Sequence, residues 1–138
     1  MLTYTLASAL VATAIRLAQA RGLGIAVVVV DNAGHPIALA RMDGVNFLTG
    51  RIATGKAHAA ALLGRPTAAT QERAAAAPQL YHTLAELSGA AMVHVPGGVP
   101  IEREGQILGA VGISGGTPDQ DRELAELALA HVLASAQA

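Results

Sequence analysis

Seven of the 15 glycines in this 138-residue chain fall between positions 97 and 116, and their placement restricts what that stretch can become. Gly97-Gly98 opens it, Glu104-Gly105 divides it, Gly109 and Gly112 punctuate its second half, and Gly115-Gly116 closes it. Glycine loses more backbone entropy on folding than any other residue. This density therefore marks positions that need positive φ or a close approach by another backbone or a ligand. The pattern reads as a β-hairpin bracketed by glycine pairs, and that hairpin is the expected floor of a site. Thr117-Pro118-Asp119-Gln120 then supplies an N-cap threonine, a proline at the first helical position and a glutamine three residues past the cap. These start a helix that runs to about residue 135.

Upstream, Leu6, Leu10, Ala14 and Leu17 recur at helical spacing and predict a helix over residues 4–21. Residues 24–31 are β-branched without polar alternation, as in a central strand covered on both faces. Asp31-Asn32-Ala33-Gly34-His35-Pro36 is dense in turn formers, so residues 37–42 can return beside that strand. A second helix fits residues 51–63 before Gly64-Arg65-Pro66. Residues 67–87 read as helix interrupted at Pro78, and residues 91–95 as a short apolar strand. The expected fold is a single α/β (α+β) domain over residues 1–138. Its sheet is five-stranded and mostly antiparallel, with helices on both faces.

Hydrophobic residues make up 52% of the chain and charged residues only 14%, with mean hydropathy +0.43. An ordinary soluble domain carries roughly 25% charged residues, so some apolar surface is expected to lie between subunits of a homo-oligomer, a dimer or higher. Net charge is −1 and the nine basic residues form no run, which argues against nucleic acid as a partner. Without cysteine there is no disulfide framework and no thiolate site for metal or catalysis. Residues 2–20 lack a basic leader and show polar residues on one helical face, and the apolar run 25–30 is too short to span a bilayer. A soluble, cytoplasmic protein with no membrane partner is expected.

Five motifs carry a resemblance. Val30-Asp31-Asn32-Ala33-Gly34-His35-Pro36, Ala40-Arg41-Met42-Asp43-Gly44, Gly55-Lys56-Ala57, Pro96-Gly97-Gly98-Val99-Pro100-Ile101 and Gly109-Ala110-Val111-Gly112-Ile113-Ser114-Gly115-Gly116, with Asp119 and Asp121 after them, resemble the GlcG/HbpS family. That family is often labelled heme-binding or heme-degrading and includes the C-terminal domain of PduO-type proteins. The resemblance implies a profilin-like three-layer sandwich, oligomeric assembly and a small-molecule pocket. It also implies a heme-ligating histidine on the N-terminal helix, and this chain has no histidine before His35. The cofactor is left open, with heme as the candidate.

The residues offer two chemistries. In the first, a pocket over the glycine floor holds heme, another tetrapyrrole or a small carboxylated molecule. His94 leads into Gly97-Gly98, Gly115-Gly116 and Ser114 present donors before a helix, and His58 stands on the second helix. In the second, Lys56 sits on an alanine-rich helix with Asp43 and Arg41 as candidate partners. That trio could perform acid–base work on a small polar metabolite without a cofactor. Asp31 reads as a turn residue bonded to local amides, while His35, His82 and His131 read as surface residues. No His-x-x-x-His or comparable spacing marks a metal site, and no Ser/His/Asp arrangement marks a nucleophile.

Overall fold

The computed structural model describes residues 1–136. Helix α1 (Tyr4–Ala20) is capped by Thr3, whose hydroxyl accepts the Leu6 amide at 3.1 Å. Strands β1 (Ala26–Asp31) and β2 (Pro36–Arg41) form an antiparallel hairpin. Helices α2 (Phe47–Leu63), α3 (Thr67–Ala76) and α4 (Pro78–Ser88) come next. Strands β3 (Gly98–Arg103) and β4 (Gln106–Ser114) make the second hairpin, and α5 (Pro118–Ala136) ends the described chain. The second hairpin turns on Glu104 and Gly105, whose φ angles of 53° and 77° are both positive, as a two-residue hairpin turn requires. At the start of α5, Gln120 N donates to Thr117 Oγ1 and Thr117 N to Gln120 Oε1, a reciprocal cap.

The sheet is fully antiparallel in the order β2-β1-β4-β3, so it has four strands and not the expected five. Residues 91–95 are the missing strand. They are apolar enough for a sheet, but their backbone is satisfied elsewhere: Val93 N donates to Gly55 O on α2 at 3.1 Å, and Thr67 Oγ1 on α3 donates to Val95 O at 2.6 Å. The segment is therefore a strap across two helices. The same threonine accepts the Gly98 amide at 2.9 Å, which fixes where β3 begins. Helix α2 also starts four residues before its expected boundary of 51, because the Asn46 side chain accepts Leu48 N and caps an additional turn.

Alternation along β1 splits the core. Val27 and Val29 join Leu10, Val111, Ile113, Leu124 and Ala128 beneath α1 and α5. Ala26, Val28 and Val30 join Ala53, Ala57, Ala60 and Ala110 beneath α2. The α2 side is built from small residues, so the helix backbone comes down onto the sheet. At Gly112 a Cβ would stand 2.2 Å from the Ala53 carbonyl oxygen, a distance no side chain tolerates. At Gly112 it is thus the α2 helix, rather than a ligand, that makes the close approach, and at Gly109 it is the Val30 carbonyl of β1.

Candidate functional site

Lys56 projects from α2 into the end of this interface and is 2% exposed. Its Nζ donates to the Ile113 carbonyl at 2.9 Å and to Asp121 Oδ2 at 3.0 Å. The other carboxylate oxygen, Asp121 Oδ1, accepts the Gly116 amide at 2.8 Å. One ion pair therefore joins α2, β4, the 115–116 turn and the first turn of α5, where a carboxylate also faces the positive helix end. Gly97 makes room for it, since a Cβ there would meet Lys56 Nζ at 2.8 Å. Above Gly98 lie the Lys56 carbonyl and the Thr67 methyl. The space over the expected floor is occupied by the protein's own lysine and threonine.

The residues proposed for acid–base work are not brought together. Asp121, and not Asp43, is the ion-pair partner of Lys56; Asp43 lies exposed in the turn after β2, and Arg41 is exposed at the end of that strand. Ser114 is buried at the end of β4, opposite Ala26 of β1. The Gly115-Gly116 turn does not offer a free anion cradle, because Asp121 holds the Gly116 amide and Gln120 the Thr117 amide. Asp31 behaves as its turn position implies, accepting the Ala33 and His35 amides at 2.9 Å each.

Two open cavities lie away from the glycine floor. A cleft of about 580 Å³ separates α4 from the strap and is lined by residues that include Ala74, Tyr81, His82, Glu86, Met92 and His94. A groove of about 660 Å³ runs between α1 and α5, lined by Leu6, Ala9, Thr13, Arg16, Arg103 and His131 among others. Both volumes suit small-molecule ligands. Among the described residues no group of three or more His, Cys, Asp or Glu side chains is placed to hold a metal ion by itself.

The histidines differ in which ring nitrogen is free. His58 is buried with Nε2 3.0 Å from Ser88 Oγ and Nδ1 3.4 Å from the Gly34 carbonyl. His82 Nε2 pairs with Glu86 at 3.1 Å on the surface of α4, and His35 is exposed in the β1–β2 turn beside Asp31. His94 Nδ1 meets Thr70 Oγ1 at 3.0 Å, its ring stands edge-on to Tyr81 at 5.0 Å, and its Nε2 is enclosed without a partner. His131 is the reverse case. Its Nδ1 lies 2.9 Å from the Leu127 carbonyl, which can only accept, so Nδ1 carries a proton and Nε2 is the nitrogen not engaged by the helix, on a ring that lines the groove.

Reading the sequence missed Arg16, Arg103 and His131 as a group. They lie on α1, β3 and α5, and nothing in their linear spacing connects them; the packing of α5 against both α1 and β3 does.

The family model described as haem degrading protein HbpS-like matches residues 2–130. Protein GlcG of Escherichia coli K12 is 35% identical over 114 residues, 83% of this chain and 81% of that protein. A crystal structure of HbpS superposes with a TM-score of 0.83 at 30% identity, covering 96% of this chain and 89% of the other. The crystal structure of a PduOC:heme complex superposes with a TM-score of 0.82 at 28% identity, covering 94% and 93%.

Replacing one member of the buried pair separates its charge from its neighbours. Lys56→Ala strands a buried carboxylate, and the expected loss of unfolding free energy in urea is about 3–5 kcal/mol. Lys56→Met combined with Asp121→Asn removes both charges while keeping an acceptor for Gly116, and should recover most of that loss; equal destabilisation by both variants contradicts the ion-pair account. For His94, burial holds the imidazole below its ordinary pKa of 6.5. As pH falls below 6.5 the unfolded chain takes up that proton before the folded one does. The stabilisation is complete above 6.5 and is lost as pH falls toward the folded-state value. His94→Gln should accordingly show a shallower loss of stability than wild type between about pH 7.5 and about pH 5.5; parallel curves would refute this.

Proposed function

Because this chain belongs to the HbpS-like family, we propose that it is a ligand-binding protein for heme or a related carboxylate-bearing tetrapyrrole, taken up in the groove between α1 and α5. The observation that carries this reading is the composition of that groove. Leu6, Ala9 and Val132 give it an apolar wall, and the guanidinium groups of Arg16 and Arg103 stand on its margin. An apolar macrocycle with two carboxylates needs that division between wall and rim. Arg16 Nη2 is also 3.4 Å from Thr13 Oγ1, a contact that directs the guanidinium across the helix surface. Bound heme would supply an iron centre; the groove residues would exclude water from its faces and orient its acidic edge.

The solved PduOC:heme complex supports the ligand class, and the absence of any α1 histidine in this chain bears on how it is held. The α4 cleft fits less well. Its buried nitrogen, His94 Nε2, is enclosed without a partner, and no lysine or arginine stands among the residues named on its wall. An acid–base enzyme built on Lys56 fits less well, because that ammonium is sealed from solvent and bound to Ile113 O and Asp121.

The proposal extends to a homo-oligomer. Leu80 and Leu87 on α4, with Leu39, Phe47 and Leu48 around the β2–α2 corner, are each more than half exposed, an apolar load that a second subunit would cover. No helix among the described residues is long and apolar enough to cross a membrane. Scattered basic residues support the absence of a nucleic-acid partner, and a cytoplasmic location is retained as part of the proposal.

Titration with hemin should give a saturable Soret change at about one heme per chain, and Arg16→Ala with Arg103→Ala should weaken it roughly five- to tenfold, as two solvent-facing charge contacts would. A linear, non-saturating response defeats the reading. Light scattering on the heme-free protein should return at least twice the 13.9 kDa chain mass; a monomer at micromolar concentration defeats the oligomer.

A further inference from the structure

We infer that His131 is the iron-coordinating residue of this groove, reached from α5 in place of a ligand on α1. The inference rests on the heme reading above and adds to it the residue and atom that would meet the metal.

Three observations converge on Nε2 of His131. The first is its tautomer. Hydrogen bonding of Nδ1–H to the Leu127 carbonyl one turn back leaves Nε2 as the ring nitrogen available to a metal. Metal-bound histidines commonly use this arrangement, because the second hydrogen bond fixes the ring plane and raises the basicity of the ligating nitrogen. The second is access. His131 is exposed, so iron reaches Nε2 without moving any side chain out of the core. The third is setting. Val132 beside it is buried against the core cluster, so α5 is anchored at this point while its outer face lines the groove with Arg16 and Arg103.

The other histidines lack one of these three. His58 has both nitrogens within reach of protein oxygens inside the fold. His94 has a free nitrogen with no approach. His82 has its Nε2 engaged by Glu86, and His35 stands in a turn outside both cavities. The groove therefore provides one nitrogen ligand and two cationic anchors from three different elements. The groove is shared by α1 and α5, which pack side by side, so a residue on α5 reaches the same space as one on α1.

The test compares hemin with iron-free protoporphyrin IX, using wild type, His131→Ala and His94→Gln. For wild type we expect both ligands to bind, with a Soret position and EPR signal characteristic of imidazole on ferric heme. For His131→Ala we expect at least tenfold weaker hemin binding and loss of the imidazole signature, partly restored by added imidazole, while protoporphyrin IX affinity stays within about twofold. His94→Gln should match wild type. An unchanged hemin spectrum in His131→Ala overturns the assignment and leaves the heme reading standing. Equal weakening of both ligands also overturns it, since His131 would then be a wall of the groove and not an iron ligand. If wild type binds neither ligand, the heme reading fails and the assignment falls with it.

Discussion

A single buried ion pair sets the spacing of the whole molecule. Lys56 and Asp121 are each almost completely removed from water, at 2% exposure. Two charges in that position cost several kcal/mol to desolvate unless every remaining donor and acceptor is met. Here the ammonium also binds the Ile113 carbonyl and the carboxylate also binds the Gly116 amide, so the pair is tied into the backbone at both ends. Such a contact tolerates little displacement. It holds α2 over β4 on one side of the sheet and the start of α5 on the other, and the glycines at 97, 98 and 112 remove the side chains that would keep those elements apart.

This arrangement separates the rigid part of the protein from the part that can meet a ligand. The α2 side of the sheet is alanine, glycine and valine packed around a satisfied charge. The opposite helical layer has larger apolar residues within and polar ones outside. Where α1 and α5 diverge at the surface they leave a groove whose floor belongs to the core and whose rim carries charge. Residues on that rim can change without disturbing the ion pair, since none of them touches it.

Much of the fold is legible in the chain. The Thr117-Pro118-Asp119-Gln120 start signal, the Glu104-Gly105 turn and the unalternating Val27-Val28-Val29-Val30 run each specify local geometry through one dominant cause, and each takes the expected form. Residues 91–95 read as a strand because periodicity reports only that a segment is apolar. Whether its amides pair with a strand or with a helix depends on Gly55 and Thr67, more than twenty residues away. The site is less legible for the same reason. Glycine density does not say what approaches: Lys56 and the α2 backbone come to Gly97, Gly98 and Gly112, the Val30 and Gly24 carbonyls to Gly109 and Gly115, and nothing to Gly105. Lys56 stands out on its apolar helix, while its partner Asp121 reads in sequence only as a helix-end charge.

His131 shows most directly why a histidine's role cannot be read from its neighbours in sequence. On the chain it is a polar residue of a helix, as is His82 of α4. Both are exposed and both have an oxygen within reach four residues away along the helix. For His131 that oxygen is a backbone carbonyl N-terminal to it, which accepts the hydrogen bond of Nδ1–H. For His82 it is the Glu86 carboxylate C-terminal to it, which engages Nε2 itself. A difference of one hydrogen-bond partner thus commits Nδ1 of one ring to its own helix backbone and Nε2 of the other to a surface carboxylate. Their surroundings divide in the same way, since two arginines accompany His131 and a carboxylate accompanies His82. An anionic, metal-bearing ligand is favoured by the first setting and opposed by the second.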